Sequence, residues 1–321
     1  MGFWSTLFGG EDPAARPLYI DDDMTEAERA EQRRALLKKV RKLEIVTRRI
    51  VNQQMAGSYH SAFKGRGMDF DEVRAYQAGD EVRFIDWNVS ARLGDLYIKR
   101  FVEERELTVF LLVDTSASQL FGTGERSKLE ASAEIGALLA FSAIKNNDRV
   151  GLIMFSDEVE LFLPPKKGKK NVLRVIRGIL EFRPRSSGTN VAGALDYLSK
   201  VARRRCVAFV ISDFQDAGFR SSLMVASRRH DVVPIIIEDP MEAEVPPMGT
   251  VTFEDPESGE LWVVDTDSRS GRRAYARLVE GLRERRERMF HKLKVDFVTV
   301  DTHRSFFEPL VNYFKLRSKR Y

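Results

Sequence analysis

The sequence predicts an α/β fold: a doubly wound, mostly parallel sheet, with an N-terminal helix and a small β-rich subdomain ahead of it. Three observations carry this. From residue 107 onward, short apolar runs alternate with segments of helical periodicity, the pattern of a parallel sheet built by crossovers. The runs themselves (Thr108–Val113, Arg149–Phe155, Val207–Ile211, Val232–Ile237 and Val295–Val300) are close to continuously apolar, as strands covered on both faces must be. Ahead of them, the stretch 56–106 is rich in glycine and aromatics and reads differently from either neighbour.

Taken in order, residues 1–23 predict a flexible N-terminus, with Gly9, Gly10, Pro13, Pro17 and the acidic Asp21 to Asp23. Phe3, Trp4, Leu7 and Phe8 within it form an apolar tip that suits docking or a peripheral membrane contact, and Met1-Gly2 with Thr6 matches a short myristoylation pattern. Residues 24–55 predict an amphipathic helix. Thr25 and Glu28 have capping-box spacing, and Leu36, Val40, Leu43, Val46 and Ile50 recur at three and four residues. Residues 56–106 predict the β-rich subdomain, with strands at Val82–Trp87 and Leu96–Phe101 punctuated by Gly79-Asp80 and Gly94-Asp95. Residues 107–321 form the main α/β domain. Its helices fall at about 127–145, 171–181, 191–203, 220–229 and 272–293. The first opens on Ser127 and Glu130, and the last sets Tyr275, Leu278, Leu282, Met289 and Leu293 on one face. Val159–Leu163 follows its predecessor too closely for a crossover and predicts an antiparallel pair. A hairpin is inserted near 250–264, turning at Pro256-Glu257-Ser258-Gly259.

Composition narrows the function. With 43% hydrophobic and 31% charged residues the chain has enough apolar material for a core. No apolar stretch is long enough for a membrane-spanning helix and no secretory signal is present, so a cytoplasmic location is expected. The single cysteine, Cys206, at the edge of an apolar run, reads as a buried thiol in a reducing compartment. The four histidines are scattered without zinc-ligand spacing. Net charge is only +4, and the basic runs Lys166 to Lys170, Arg203 to Arg205 and Lys315 to Arg320 read as solvated surface, not as a nucleic-acid interface.

The chemistry gathers at the carboxyl ends of the strands. Asp114-Thr115-Ser116-Ala117-Ser118 follows the first strand, Thr189 lies in Gly188-Thr189-Asn190 before a helix, and Asp213 ends another strand. In open α/β sheets this edge is where ligands bind. Asp114, Ser116, Ser118, Thr189 and Asp213 offer oxygen alone, a set suited to a hard cation, Mg²⁺ or Mn²⁺ in its place. Two carboxylates would balance the ion and leave a position for a partner's carboxylate. The alternative is a turn and helix cap, which Ser and Asp form routinely.

The order Asp-x-Ser-x-Ser, then Thr, then Asp resembles the metal-ion-dependent adhesion site of von Willebrand factor A domains. The resemblance implies direct metal contacts from Ser116, Ser118 and Thr189 and water-mediated ones from Asp114 and Asp213. It covers roughly residues 107–300. A second set of motifs is Phe63-Lys64-Gly65-Arg66-Gly67, Tyr76-Gln77-Ala78-Gly79-Asp80, Ile85-Asp86-Trp87 and Ser90-Ala91-Arg92. It resembles the signature of domain of unknown function fifty-eight, a bacterial and archaeal family that travels with MoxR-type AAA+ ATPases. Read as residues, the signature is structural: Tyr76, Phe84 and Trp87 fill a small core, while Arg66, Arg74, Arg83 and Arg92 pair with Asp69, Asp71, Asp80 and Asp86.

The expectation is therefore a metal-dependent protein-binding adaptor, not an enzyme. It would bind a MoxR-type AAA+ ATPase through a metal-bridged acidic residue and take part in remodelling or maturation of other proteins. A Mg²⁺-dependent phosphoryl transferase built on Asp114 is the first alternative, and a nucleic-acid module the second. The chain has no Gly-x-x-x-x-Gly-Lys-[Ser/Thr] loop with which to hydrolyse ATP itself.

Overall fold

The computed structural model describes residues 38, 40–51, 56–63, 69–102, 106–124, 126–182, 184–254 and 261–319. The apolar N-terminal tip, the Thr25–Glu28 capping box and Lys64 to Gly67 of the signature lie outside these residues.

Six strands form the central sheet: β3 (Thr108–Asp114), β4 (Arg149–Phe155), β5 (Val159–Lys166), β6 (Val207–Ser212), β7 (Asp231–Glu238) and β10 (Val298–Asp301), in the order β10-β7-β6-β3-β4-β5. Every neighbouring pair is parallel except β4 with β5, which is antiparallel. The alternation of a strand's side chains splits each apolar run between two cores. Val109, Leu111 and Val113 of β3, with Val207, Phe209 and Ile211 of β6, face one layer of helices. That layer is built from helical residues 40–50 (α1), α2 (Ala56–Phe63), α4 (Lys128–Lys145), α5 (Lys169–Glu181) and α9 (Phe307–Ser318). Phe110, Leu112, Ala208 and Val210 face the other layer, α6 (Val191–Val201), α7 (Arg220–Arg229) and α8 (Arg269–Leu293). The fold is thus a doubly wound, mostly parallel α/β sheet. Because β3 is flanked by β4 on one side and β6 on the other, the winding reverses at β3, and the carboxyl ends of β3 and β6 open onto the crevice.

Ahead of the sheet, β1 (Asp69–Ala75) and β2 (Tyr97–Val102) pair antiparallel around α3 (Trp87–Leu93). The strand expected at Val82–Trp87 is instead a 3₁₀ turn, Val82–Phe84, running into α3. Asp86 is the reason: its carboxylate caps the helix, accepting from the N–H groups of Asn88 and Val89. Trp87 at the first helical position is then 63% exposed, and the small core is Ile85 and Ile98 instead. Arg74 grips Asp80 with both guanidinium nitrogens, at 2.7 and 2.9 Å, as the pairing argument required. Arg83 pairs with Glu81, not with an aspartate.

Two other expectations change. The C-terminal basic run is not all solvated: Arg317 of α9 is buried, donating to the Ala62 carbonyl and Tyr313 hydroxyl and pairing with Asp231 of β7. It ties α2 and α9 to the sheet, with its guanidinium 4.8 Å from the Phe63 ring. Helix α8 buries Phe290, yet leaves Leu278 and Leu282 58% and 54% exposed. Beside it, β8 (Thr250–Glu254) and β9 (Leu261–Asp265) pair antiparallel, with Phe253 stacked on Tyr275.

Candidate functional site

The crevice is built by four chain segments. Strand β3 ends on Asp114, which is fully buried. The next residues turn back over the sheet: Thr115 donates twice to the Phe155 carbonyl at the end of β4, and Ala117–Leu120 forms a 3₁₀ turn that opens on Ser116. Ser116 and Ser118 hydroxyls lie 3.1 Å apart on this turn. The loop carrying Thr189 is docked beside it, since the Ala117 N–H donates to the Ser187 carbonyl at 2.9 Å and the Asn190 N–H to Ser156 at 2.8 Å. Strand β6 delivers Ser212 and Asp213. The backbone at Phe214 then turns left-handed at φ 54°, uncommon for a residue with a side chain. Its N–H donates to the Ser212 hydroxyl, and its ring is held by Phe219 and Phe290, so the turn is locked from both sides.

All five expected residues therefore belong to adjoining segments of one crevice, but the carboxylates are already engaged. Asp114 Oδ1 accepts from the Ser116 N–H at 2.9 Å and Oδ2 from the Ser212 hydroxyl at 2.5 Å. Burial, with nearby Asp213 adding to it, pushes the Asp114 pKa up to about 7. Asp213 Oδ2 accepts from the ammonium of Lys128 at 3.0 Å. The Lys128 side chain is fully buried and also pairs with Glu242. Burial opposes its charge, but Asp213 and Glu242 outweigh that and hold its pKa above the ordinary lysine value.

This overturns the expectation of a Mg²⁺ or Mn²⁺ cofactor. Among the described residues there is no group of three or more His, Cys, Asp or Glu side chains that could hold a metal ion. The physical reason lies in how the carboxylates are engaged. Lys128 and the Gln215 N–H hold the two oxygens of Asp213, and both oxygens of Asp114 accept hydrogen bonds, so neither carboxylate is open to a divalent ion.

Lys128 and Glu242 were missed by sequence reasoning, although each leaves a signal. Lys128 is the first helical residue of α4, directly after the capping-box serine Ser127. A cation there opposes the helix dipole, so a lysine at that position calls for a carboxylate elsewhere in the fold. Asp239-Pro240-Met241-Glu242 is itself a capping box with proline at the first position, which fixes Glu242 at the mouth of the crevice. Asp239, fully buried, also accepts from the N–H and hydroxyl of Thr123 and the hydroxyl of Thr302, and so pins the loop at 121–124. That loop runs tight against the start of α4: a Cβ on Gly122 would come within 2.6 Å of the Arg126 carbonyl oxygen and of Ser127 Cα. The result is a rigid rim whose outer residues, Leu120 and Phe121, are 61% and 42% exposed. In the turn below them Gln119 is fully buried, with neither its Oε1 nor its Nε2 hydrogen-bonded within the described protein.

The family described as "Protein of unknown function DUF58" matches residues 72–286. The chain belongs to the DUF58 family. An uncharacterized protein of Mycobacterium tuberculosis is 30% identical to this DUF58 chain over 223 residues, 68% of the chain and 70% of its own length. Uncharacterized protein YeaD of Bacillus subtilis is 31% identical over 105 residues, 33% of this chain and 24% of its own length. Among solved structures, the conserved hypothetical protein BatB from Bacteroides thetaiotaomicron has a TM-score of 0.45 at 18% identity, covering 66% of this DUF58 chain and 99% of that one. The SpRpn10 VWA domain has a TM-score of 0.36 at 13% identity, covering 65% and 95%. No helix among the described residues of this DUF58 protein is long and apolar enough to cross a membrane.

Proposed function

We propose that this DUF58 chain is a non-catalytic protein-binding adaptor, working in the cytoplasm with a MoxR-type AAA+ ATPase in the remodelling or maturation of other proteins. Its binding surface is the crevice rim: Leu120 and Phe121, with the half-buried Ser118 and Thr189 beside them. The ATPase partner rests on the motif resemblance and the family membership. The mode of binding rests on one observation, the internal engagement of both carboxylates. Asp213 is held by the Lys128 ammonium, and Asp114 by Ser212 and the Ser116 N–H. The rim itself carries the exposed Leu120 and Phe121 next to the half-buried, uncharged Ser118 and Thr189. Such a surface recognises a protein by shape, apolar contact and hydrogen bonds.

The same observation weighs against phosphoryl transfer. A nucleophilic aspartate needs a free, ionised oxygen facing substrate. Asp114 is fully buried, each of its oxygens accepts a hydrogen bond, and its pKa is raised.

The test is direct binding between the purified chain and a purified MoxR-type ATPase from the same genome. Phe121→Asp places a charge in the apolar rim, and Ser118→Tyr fills the space between the two loops. Each should weaken binding on the order of tenfold or more, with the fold intact by circular dichroism. EDTA should change nothing. Full-strength binding by both variants would remove the rim from the interface, and no binding by the wild-type chain would remove this partner.

A further inference from the structure

The outer face of α8 carries a charge pattern that the rest of the described residues leave unpaired. At 100° per residue, Arg269, Arg273 and Arg277 line one side of the helix over its first half, and Glu280, Glu284 and Glu287 continue the same side over its second half. All six are exposed except Glu287, which is half-buried. None of the three arginines is paired with a carboxylate of the described residues. Glu284 makes only an exposed ion pair, at 3.4 Å, with Arg288 of its own helix. The adjacent side of the helix is apolar and open, with Ala274, Leu278 and Leu282. Half-exposed Trp262, which pairs with Phe253 across the hairpin, extends that strip beyond Tyr275.

A helix that is basic and then acidic along one stripe is complementary to itself when reversed. Two copies laid antiparallel about a two-fold axis at Leu278 bring Arg277 to Glu280, Arg273 to Glu284 and Arg269 to Glu287 of the second copy. All three pairs fall within one residue of that register, and each occurs twice. The same register sets Leu278 against Leu278 and Leu282 against Ala274, large against small. In an antiparallel helix pair the like flanks meet, so the charged stripe meets the charged stripe and the apolar strip meets the apolar strip. This is the self-complementary patch that a two-fold dimer requires.

The helix is also rigid enough to act as a template. Arg286 donates to the Asp213 carbonyl, Arg283 and Arg286 both pair with Glu238, and the Tyr275 hydroxyl donates to the Glu242 carbonyl. A uniformly acidic protein or an anionic membrane would meet the glutamate half of the stripe with repulsion. A second copy satisfies both halves.

We propose that the outer face of α8, with the apolar strip beside it, is a homodimer interface, in which two copies of this chain pair antiparallel through the Arg269/Arg273/Arg277 and Glu280/Glu284/Glu287 half-stripes. Exposed ion pairs are individually weak and screened by salt, so the dimer is reversible and loosens as salt rises.

The experiment is sedimentation velocity of the full chain over a concentration series, with two charge-reversed variants. Arg273→Glu with Arg277→Glu makes the stripe mostly acidic, and Glu280→Arg with Glu284→Arg makes it mostly basic. All four positions are exposed, and circular dichroism checks that each variant keeps the wild-type spectrum. The wild type should dimerise. Each variant alone should bind itself on the order of tenfold or more weaker, and the two mixed in equal amounts should recover dimer. Leu278→Asp should dissociate the wild-type dimer without touching a charge pair. A wild type that stays monomeric at every concentration overturns the proposal. So does a dimer that survives in either reversed variant, or a mixture that stays monomeric.

Discussion

The crevice at the ends of β3 and β6 and the outer face of α8 are both rich in charge, and they treat it in opposite ways. In the crevice, Lys128, Asp213 and Glu242 are satisfied within the chain and largely shut away from water. On α8, three arginines and three glutamates share one stripe in two successive blocks, and none of the three arginines pairs with a carboxylate of the described residues. The difference teaches where each charge does its work. A buried charge must be paired, because an unpaired one costs several kcal/mol to keep out of water. An exposed charge adds almost nothing to folding and remains available to a second molecule.

Breaking the buried set should produce the largest effect. Lys128→Met leaves Asp213 and Glu242 without their ammonium in a closed site. Urea unfolding should show a loss of about 3–5 kcal/mol. The double variant Lys128→Met with Asp213→Asn should recover part of it. A Lys128→Met protein as stable as wild type would mean that the ammonium is not what holds the crevice together. Arg317→Met should come next, losing about 2–4 kcal/mol, since it strips Asp231 of its partner and unties α2 and α9 from the sheet. Its signature would be early loss of the contact between Tyr59 and Phe314, ring centroids 5.6 Å apart, seen as an early aromatic near-ultraviolet transition.

Next is a pH effect. Asp114 has its folded pKa raised to about 7 and Asp148 to about 6, in both cases chiefly by burial. A carboxyl whose pKa is higher folded than unfolded binds more protons in the native state. Its contribution is therefore complete near pH 4 and is lost as the pH rises toward the folded value. Asp114→Asn cannot ionise and should escape this loss, so the gap between variant and wild type should move in favour of the variant from pH 4 to pH 7. Parallel unfolding curves for the two proteins across that range would contradict the shift.

The smallest stability effect belongs to α8 and the hairpin strand β9 beside it. Trp262→Ser and Arg273→Glu remove exposed groups and should leave the unfolding midpoint of dilute protein unchanged. A clear drop would show that these groups serve the monomer.

Much of this architecture is legible in the sequence, because burial on both faces leaves an unmistakable apolar run. Val109–Val113 and Val207–Ile211 state their place in the sheet outright. The close spacing of Val159 after Phe155 is enough to predict an antiparallel β5. Asp114, Ser116, Ser118 and Asp213 could be placed at the crevice for the same reason, since each follows a strand that can be read, and Thr189 by its loop ahead of a helix. The occupant of the crevice was not. Lys128 looks like an ordinary surface lysine in a capped helix, and its partners Asp213 and Glu242 lie 85 and 114 residues further along the chain. Trp87 misled in another way: its β propensity was outweighed by the cap that Asp86 makes one residue earlier. On α8, the periodicity of Tyr275, Leu278 and Leu282 was real, but periodicity shows that a face is apolar without showing what covers it.

Lys128 provides the positive charge of the crevice in place of a divalent ion. The most direct test is urea unfolding of the wild-type chain in EDTA and in excess Mg²⁺, at matched ionic strength. Anything that binds the native state alone raises its stability in proportion to its occupancy. The midpoint should be the same in both solutions, and one that climbs with Mg²⁺ concentration would mean that a divalent ion binds the native crevice.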